Sequence, residues 1–351
     1  QVAVTLYDIS RRMLFFLLPY CLQLLTACYL LLLSVPLLLI AETHFILNIP
    51  FVWQPVQESS FVGELKHTLH VALVLGFLFS SVFFFVIPPT NKEPVYIRIF
   101  DPGTGGKYDE QKESINTKTK FSVYGGKGCI TEKDARGADP IGNYKSGNLL
   151  DSKTFGTELD DKWYTFGPFN PTTGENSPKF GGNVFKVICE GKSGDDGNLY
   201  RYFLSTSADK NQEIEGGNAF TFEYTFRMHD DPKEVSHVYP YLDTRVVSVK
   251  QGNFDWDNDG DLKFISNTRY GVPLKRSGDG NWMRSEHKIL AKEKESSLDI
   301  QFHKNKTRPA KNNNVSFYIT NQYGETMPFY TIPIGGIPKP KSSGTITPKG
   351  R

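Results

Sequence analysis

Two apolar runs without a charged side chain constrain this chain more than any other feature. The first extends from Met13 to Ile40 and the second from Leu69 to Ile87. A helix rises about 1.5 Å per residue, so ~20 apolar residues cross the ~30 Å hydrocarbon core of a bilayer. The runs therefore predict two transmembrane helices, 13–40 and 69–87, in a membrane anchor that covers residues 1–90.

The first predicted helix has features that suit packing against other helices. Pro19 and Pro36 interrupt it, and such kinks are tolerated where neighbours satisfy the freed backbone groups. It also carries small or polar residues that favour close helix contacts, namely Gln23, Thr26, Ala27 and Ser34. We therefore expect other membrane-protein subunits, besides the lipid bilayer, as its partners.

The orientation signals conflict. Arg11 and Arg12 precede the first run and, by the positive-inside bias, favour a cytoplasmic N-terminus. The polar part is instead rich in Gly, Asn, Asp and aromatic residues, as secreted β-domains are. It also holds Cys129 and Cys189, which either form one disulfide or remain two isolated thiols. We expect the bulk of the chain to be extracytoplasmic, periplasmic or at the cell surface, with the N-terminus outside or one run not fully spanning.

Charge excludes one class of partner. The chain has 40 Lys and Arg against 38 Asp and Glu, a formal net charge of +2. A nucleic-acid interface needs a clustered basic face, and the sequence has none. We therefore expect no nucleic-acid partner.

Beyond residue 90 the hydrophobic pattern is that of β-strands. The predicted strands are short, rich in β-branched and aromatic residues, and bounded by turn formers; they cover 95–100, 120–124, 163–166, 183–189, 199–204, 220–226, 244–249, 262–265, 297–302, 315–319 and 329–332. Alternation in the segment from Phe220 to Phe226 predicts one half-buried strand with its aromatic rings on a single face.

The strands predict a membrane-anchored all-β protein with two β-sandwich domains, immunoglobulin-like or jelly-roll-like. The first domain covers 91–231 and the second 232–334. A tail rich in Pro, Gly, Ser and Lys, residues 335–351, is typical of a flexible end.

Three turns combine glycine with acidic residues: 193–198, 258–261 and 277–281. Aspartates occupy every second position through the middle turn and the residues before it: Asp255, Asp257, Asp259 and Asp261, with Gly260 between the last two. This pattern resembles the start of a calcium loop. Positions nine and twelve of such a loop are Lys263 and Ser266, so the bidentate glutamate of an EF-hand is missing. The four aspartates predict either a calcium site or a solvated acidic hairpin.

Histidines offer two weaker metal or cofactor patterns. His67 and His70 lie one helical turn apart at the start of the second apolar run, where an imidazole such as His70 could ligate haem or a pigment. His229, Asp231 and His237 could share a transition metal, but their spacing is generic and Asp230-Asp231-Pro232 is a good turn, so a structural linker is the favoured interpretation.

The sequence contains no P-loop, GxGxxG or local triad motif, so we predict a protein that is not an enzyme. The first functional hypothesis is an integral membrane accessory or structural subunit that presents β-domains outside. The alternative is a cell-surface module that binds glycan or matrix, with Trp163, Trp256 or Trp282 either stacking on sugar or packing in the core. A metal-dependent enzyme is the third hypothesis.

Overall fold

A computed structural model of the chain describes residues 70–75, 80–111, 114–132, 135–136, 144–229, 231–308 and 314–340. These residues fall in one compact unit. Their strands are β1 His70–Leu75, β2 Ser80–Ile87, β3 Val95–Phe100, β4 Lys118–Gly125, β5 Asn148–Phe155, β6 Trp163–Phe169, β7 Glu175–Ser177, β8 Gly182–Ser193, β9 Gly197–Ser205, β10 Asn218–Thr221, β11 Glu223–Arg227, β12 Val235–Leu242, β13 Ser248–Phe254, β14 Gly260–Ile265, β15 Val272–Leu274, β16 Trp282–Lys288, β17 Ser296–Ser297, β18 Asp299–Lys304, β19 Asn314–Asn321 and β20 Phe329–Tyr330. The described helices are three 3₁₀ turns, Pro171–Thr173, Pro178–Phe180 and Ala291–Glu293.

The strands form three antiparallel sheets. One four-stranded sheet has the order β1-β9-β3-β6 and another has the order β11-β19-β13-β16. The third sheet has twelve strands, with the order β15-β14-β18-β12-β20-β10-β2-β8-β4-β5; β17 pairs with β12 and β7 pairs with β8. The predicted all-β class is confirmed, and these large antiparallel sheets are consistent with a β-sandwich.

Aromatic side chains join the sheets face to face. Between the β1-β9-β3-β6 sheet and the large sheet, the Phe121 and Tyr200 rings lie 4.8 Å apart and the Phe83 and Tyr202 rings 4.1 Å apart. Between the β11-β19-β13-β16 sheet and the other end of the large sheet, Phe302 contacts Phe226 with ring centroids 4.8 Å apart. Apolar side chains of each small sheet thus pack against those of the large sheet and form the buried core between them.

The second predicted transmembrane helix, 69–87, is wrong. This segment contains β1 and β2, and β2 lies between β8 and β10 in the large sheet. Phe83 and Phe85 face one apolar core while Phe84 faces the other. A strand buried on both faces is apolar throughout and mimics a helical run. In the described part of the chain no helix is long and apolar enough to cross a bilayer, and the first predicted helix, 13–40, lies outside it.

The segment 220–226 is two strands, not the single strand predicted. Phe220 on β10 pairs with the large sheet, and Phe226 on β11 pairs with β19 of a small sheet. Phe220 and Phe222 therefore pack in one core, whereas Phe226 packs in the other. Because β11 pairs with β19, strand pairing crosses the domain boundary that the sequence predicts at residue 231.

Cys129 and Cys189 are free thiols, both fully buried. They belong to different apolar clusters, on opposite sides of the large sheet. Burial raises the pKa of Cys129 to about 12 and raises that of Cys189 as well. Of the two readings of this pair, the structure therefore shows the isolated thiols.

Candidate ligand-binding site

The acidic turn between β13 and β14 is built on unusual backbone angles. Asp255, Asp257 and Asn258 have φ values of 60°, 53° and 56°. Asp and Asn tolerate this left-handed region better than other non-glycine residues. Gly260 closes the turn because a Cβ there would lie 1.8 Å from the carbonyl oxygen of His303. The sequence DWDNDG thus specifies a tight turn pressed against β18.

A second loop, 275–281, is fastened to this turn. Ser277 accepts a hydrogen bond from Trp256 N at 2.9 Å through its hydroxyl, and its carbonyl accepts one from Asn258 N at 3.1 Å. Gly280 N donates to Asp255 Oδ1 at 2.9 Å. Trp256 anchors the arrangement, since its side chain is fully buried. The two loops therefore hold each other in place without a ligand.

Three carboxylates meet where these loops touch. One oxygen from each of Asp255, Asp257 and Asp279 lies within 4.8 Å of the other two. Calcium binds oxygen ligands at about 2.3–2.6 Å, so one ion could contact all three. Burial, and then the nearby Asp255, Asp279 and Asp259 carboxylates, raise the pKa of Asp257 to about 6. A divalent cation would relieve this repulsion.

The structure groups the predicted metal ligands differently from the sequence. Asp255 and Asp257 converge, but their partner is Asp279 from the neighbouring loop. Asp261 instead forms an ion pair with Arg276 at 3.1 Å. Asp259 accepts a hydrogen bond from Asn305 N at 2.7 Å through its backbone carbonyl. The ligand missed by the sequence argument lies in the 277–281 turn, whose Gly-Asp pattern was a visible signal.

Among the described residues, His229, Asp231 and His237 form no metal-ligand group, and His67 lies outside the described residues. His70 is the first residue of β1, so it lies on a strand and not at the end of a helix as the pigment hypothesis assumed. His229 Nδ1 lies 2.9 Å from Glu234 and His237 Nδ1 lies 2.7 Å from Asp299. Each of the latter two imidazoles has its own carboxylate partner, as structural histidines do.

An aromatic surface borders the acidic cluster on the outer face of the β11-β19-β13-β16 sheet. We call it the Trp282 platform; it consists of Trp282, Tyr318, Phe254, Arg284 and Gly252. Trp282 is 38% exposed, and its ring lies 5.1 Å from that of Tyr318 and 5.2 Å from that of Phe254. Arg284 Nε donates to the Tyr318 hydroxyl at 2.7 Å.

Strand register explains why this platform exists. Gly252 lies opposite both Tyr318 and Arg284. A Cβ at Gly252 would lie 2.3 Å from Tyr318 Cε1, so the missing side chain lets the tyrosine ring lie flat across β13. Phe254 lies opposite Trp282. The platform is therefore a surface of aromatic rings with polar groups at its edge. It lies at the end of the β13–β16 pairing, next to the two acidic loops.

The other two candidate tryptophans have different surroundings. Trp256 is fully buried, with its ring 6.1 Å from that of Phe302. Trp163 on β6 is half-buried, with its ring 5.4 Å from that of Phe100 and the Arg98 guanidinium 4.9 Å above it. Only Trp282, of the three, is exposed beside a cluster of carboxylates.

No family model matches this chain, and no curated protein matches it either.

Proposed function

We propose that this chain is a non-catalytic, membrane-anchored binding protein that recognises carbohydrate at the Trp282 platform, next to a calcium ion held by Asp255, Asp257 and Asp279. Of the hypotheses made from the sequence, this is the surface-binding module. The supporting observation is one of register. Phe254 and Trp282 form one cross-strand pair, and the cluster begins at Asp255 and ends at Asp279, directly beside that pair.

The chemistry of the two surfaces is complementary for a sugar. Apolar CH faces of a pyranose stack on aromatic rings, and an indole offers the largest such surface. Arg284 and the Tyr318 hydroxyl supply hydrogen bonds at the edge of the rings. Calcium accepts further oxygen ligands beyond three carboxylates, because it takes six to eight. Vicinal hydroxyls of a sugar on the platform could supply them.

The test is glycan-array binding of the full chain in detergent micelles, with and without calcium. Trp282→Ala and Tyr318→Ala should each weaken binding about tenfold or more, which corresponds to ~1.4 kcal/mol. Tyr270→Ala is the matched control, because Tyr270 is 80% exposed and lies outside the platform; its binding should not change. Asp257→Asn combined with Asp279→Asn should reproduce the effect of a chelator.

Two results would contradict parts of this proposal. Failure of the parent chain to retain any glycan, or full binding by Trp282→Ala, would remove carbohydrate recognition. Glycan binding that is identical in calcium and in chelator would keep the platform but remove the cation from its function.

The location and the accessory-subunit role stay predictions, since the helix 13–40 that motivates them lies outside the described residues. Added protease should remove the β-region, from about His70 onward, from intact cells if this region is extracytoplasmic, because β1 and β2 belong to its sheets. Complete protection of the β-region would place it in the cytoplasm instead. A partner that copurifies from native membranes would support the subunit role.

A further inference from the structure

A second acidic region lies in the loop that follows β3. Asp101 begins this loop with a φ of 53° and is only 1% exposed. Its backbone N donates to Lys162 O at 2.9 Å, which fixes its position. Neither carboxylate oxygen of Asp101 has a hydrogen-bond partner among the described residues. A carboxylate removed from water without donors is costly, so such a group needs compensation from something else.

A second carboxylate approaches the same space. A Cβ placed on Gly106 would lie 2.0 Å from Asp161 Oδ1 and 3.2 Å from Asp101 Oδ2. Asp161 Oδ1 thus packs against the Gly106 backbone in the place that a side chain would fill, and Asp101 Oδ2 approaches the same place. Lys107 N donates to Asp161 Oδ1 at 3.1 Å, which orients the second carboxylate toward the loop.

Further oxygens without partners lie in the same loop and on the adjoining strand. They are Thr104 Oγ1 and Asn198 Oδ1, both buried. Asn198 Nδ2 donates to Pro102 O at 2.9 Å, so this amide lies against the residue that follows Asp101. The buried side-chain atoms without partners among the described residues of this region are therefore oxygens, the ligand type that hard cations prefer.

The loop is held in shape by its own hydrogen bonds. Asp109 accepts from Gly105 N at 2.7 Å and from Leu199 N at 2.6 Å, which closes the loop onto β9. Thr104 N donates to Gly156 O at 3.0 Å on the other side. The buried oxygens therefore belong to a preformed loop.

Basic side chains near the loop are engaged elsewhere. Lys162 forms an ion pair with Glu158. Lys107 Nζ lies 5.5 Å from the Tyr108 ring centre, and the Arg201 guanidinium lies over the rings of Phe100 and Tyr108 at 5.4 and 5.2 Å. Burial, and then Asp109, Asp161 and Glu158, raise the pKa of Asp101 to about 8, with Arg201 opposing. Negative charge therefore predominates around Asp101.

We propose that the Asp101 loop binds a calcium ion through the carboxylates of Asp101 and Asp161, which approach each other beside Gly106. The side-chain atoms available at this loop are carboxylate, hydroxyl and amide oxygens, which bind hard cations. The loop is irregular, and calcium tolerates irregular coordination geometry better than magnesium does. This site involves a different sheet from the Asp255 cluster and does not depend on the proposed function.

The test counts calcium bound per full-length chain by equilibrium dialysis in detergent. Asp101→Asn should lose one bound calcium at concentrations that saturate the parent. Gly106→Ala should lose the same ion while both carboxylates remain, because its methyl group would displace Asp161 Oδ1 from its position beside Asp101. Gly156→Ala is the matched control: it lies beside the same loop, and the nearest atom to its added Cβ is 4.0 Å away. That variant should keep the ion.

A third variant separates the two calcium proposals. Asp257→Asn with Asp279→Asn removes the cluster beside the Trp282 platform and should leave the Asp101 ion bound. Retention of the parent's calcium by both Asp101→Asn and Gly106→Ala would overturn the Asp101 site. So would loss of all calcium in the Asp257/Asp279 variant alone. The Asp101 and Gly106 variants should bind glycan as the parent does, so failure of the Asp101 site is distinguishable from failure of the platform.

Discussion

Glu293 and Asp101 are both buried carboxylates, yet their surroundings are opposite. Glu293 receives hydrogen bonds from Thr268 Oγ1 at 2.6 Å, Arg269 Nε at 2.7 Å and Leu290 N at 2.7 Å, and from the Ser266 hydroxyl. Burial alone would raise its pKa, but these donors lower it to about 2. Asp101 has no such donors, and its pKa rises to about 8.

Hydrogen-bond donors, and not burial, decide whether a buried acid is ionised in this protein. A carboxylate with a full set of donors is ionised and ties loops together; Glu293 fastens the 266–269 turn to the 3₁₀ turn Ala291–Glu293. A carboxylate without donors has to take up a proton or a cation. Glu293 is therefore part of the fold, and Asp101 is available for a ligand.

The largest expected effect follows from removing the charge of Glu293. Glu293→Gln leaves the partly buried Arg269 guanidinium without its ion-pair partner and weakens the hydrogen bonds that the carboxylate accepts, which should cost about 3 kcal/mol in the free energy of unfolding. Chemical denaturation at pH 7 measures this. Glu286→Gln, which changes an exposed glutamate on β16, should stay within about 0.5 kcal/mol of the parent.

The pH dependence gives an independent check on Glu293. Its folded pKa lies below the ordinary value of 4.5, so the unfolded chain binds more protons between about pH 4.5 and pH 2. The stabilisation is full above pH 4.5 and is lost as pH falls through that range. Glu293→Gln should lack this loss, and equal acid sensitivity in both proteins would mean that the donors do not hold the charge.

How far the sequence predicts the fold depends on the surroundings of each strand. The bounds of β3 coincide with the prediction 95–100, since its residues are β-branched and aromatic between turn formers. β2 was missed because both of its faces are buried, which removes the alternation that marks a strand. Alternation places Phe226 on the same face as Phe220, which is wrong because the change of sheet after β10 leaves no trace in the hydrophobic pattern.

The candidate sites divide in the same way. Asp255 and Asp257 were found because their spacing is local, whereas Asp279 joins them only through loop packing. Trp282 could have been core or surface from sequence alone. Asp101 was not singled out, because the burial of its carboxylate and the approach of Asp161 are tertiary facts; Asp-Pro-Gly by itself is an ordinary turn.

Lys186 extends the comparison to a cation, with an intermediate effect of opposite sign. Its side chain is fully buried, with Nζ 3.2 Å from Ser146 Oγ and 5.5 Å from the Tyr124 ring centre, and burial lowers its pKa to about 8. Lys186→Met fills similar space without a charge and should stabilise the protein by about 1–3 kcal/mol at pH 7. Thermal and urea unfolding measure it.

The low pKa of Lys186 makes the stability of the parent depend on pH. Between about pH 8 and the ordinary lysine pKa of 10.5, the unfolded chain binds more protons than the folded one, so stability of the parent rises with pH. The advantage of Lys186→Met should therefore shrink across that range. If Lys186→Met is less stable than the parent at pH 7, the contacts of Lys186 with Ser146 and Tyr124 must compensate the cost of burying its charge.

Removing the charge of Asp101 should have the smallest effect on stability when calcium is absent. In chelator, Asp101→Asn should change the free energy of unfolding by less than about 1 kcal/mol, because no hydrogen bond to its carboxylate is lost. Calcium at a hundredfold excess over Kd should then stabilise the parent by about 2.7 kcal/mol more than the variant. Urea unfolding of both chains, each in calcium and in chelator, measures the two quantities. Should Asp101→Asn in chelator cost as much as Glu293→Gln, burial and not donor number would decide the role of these acids.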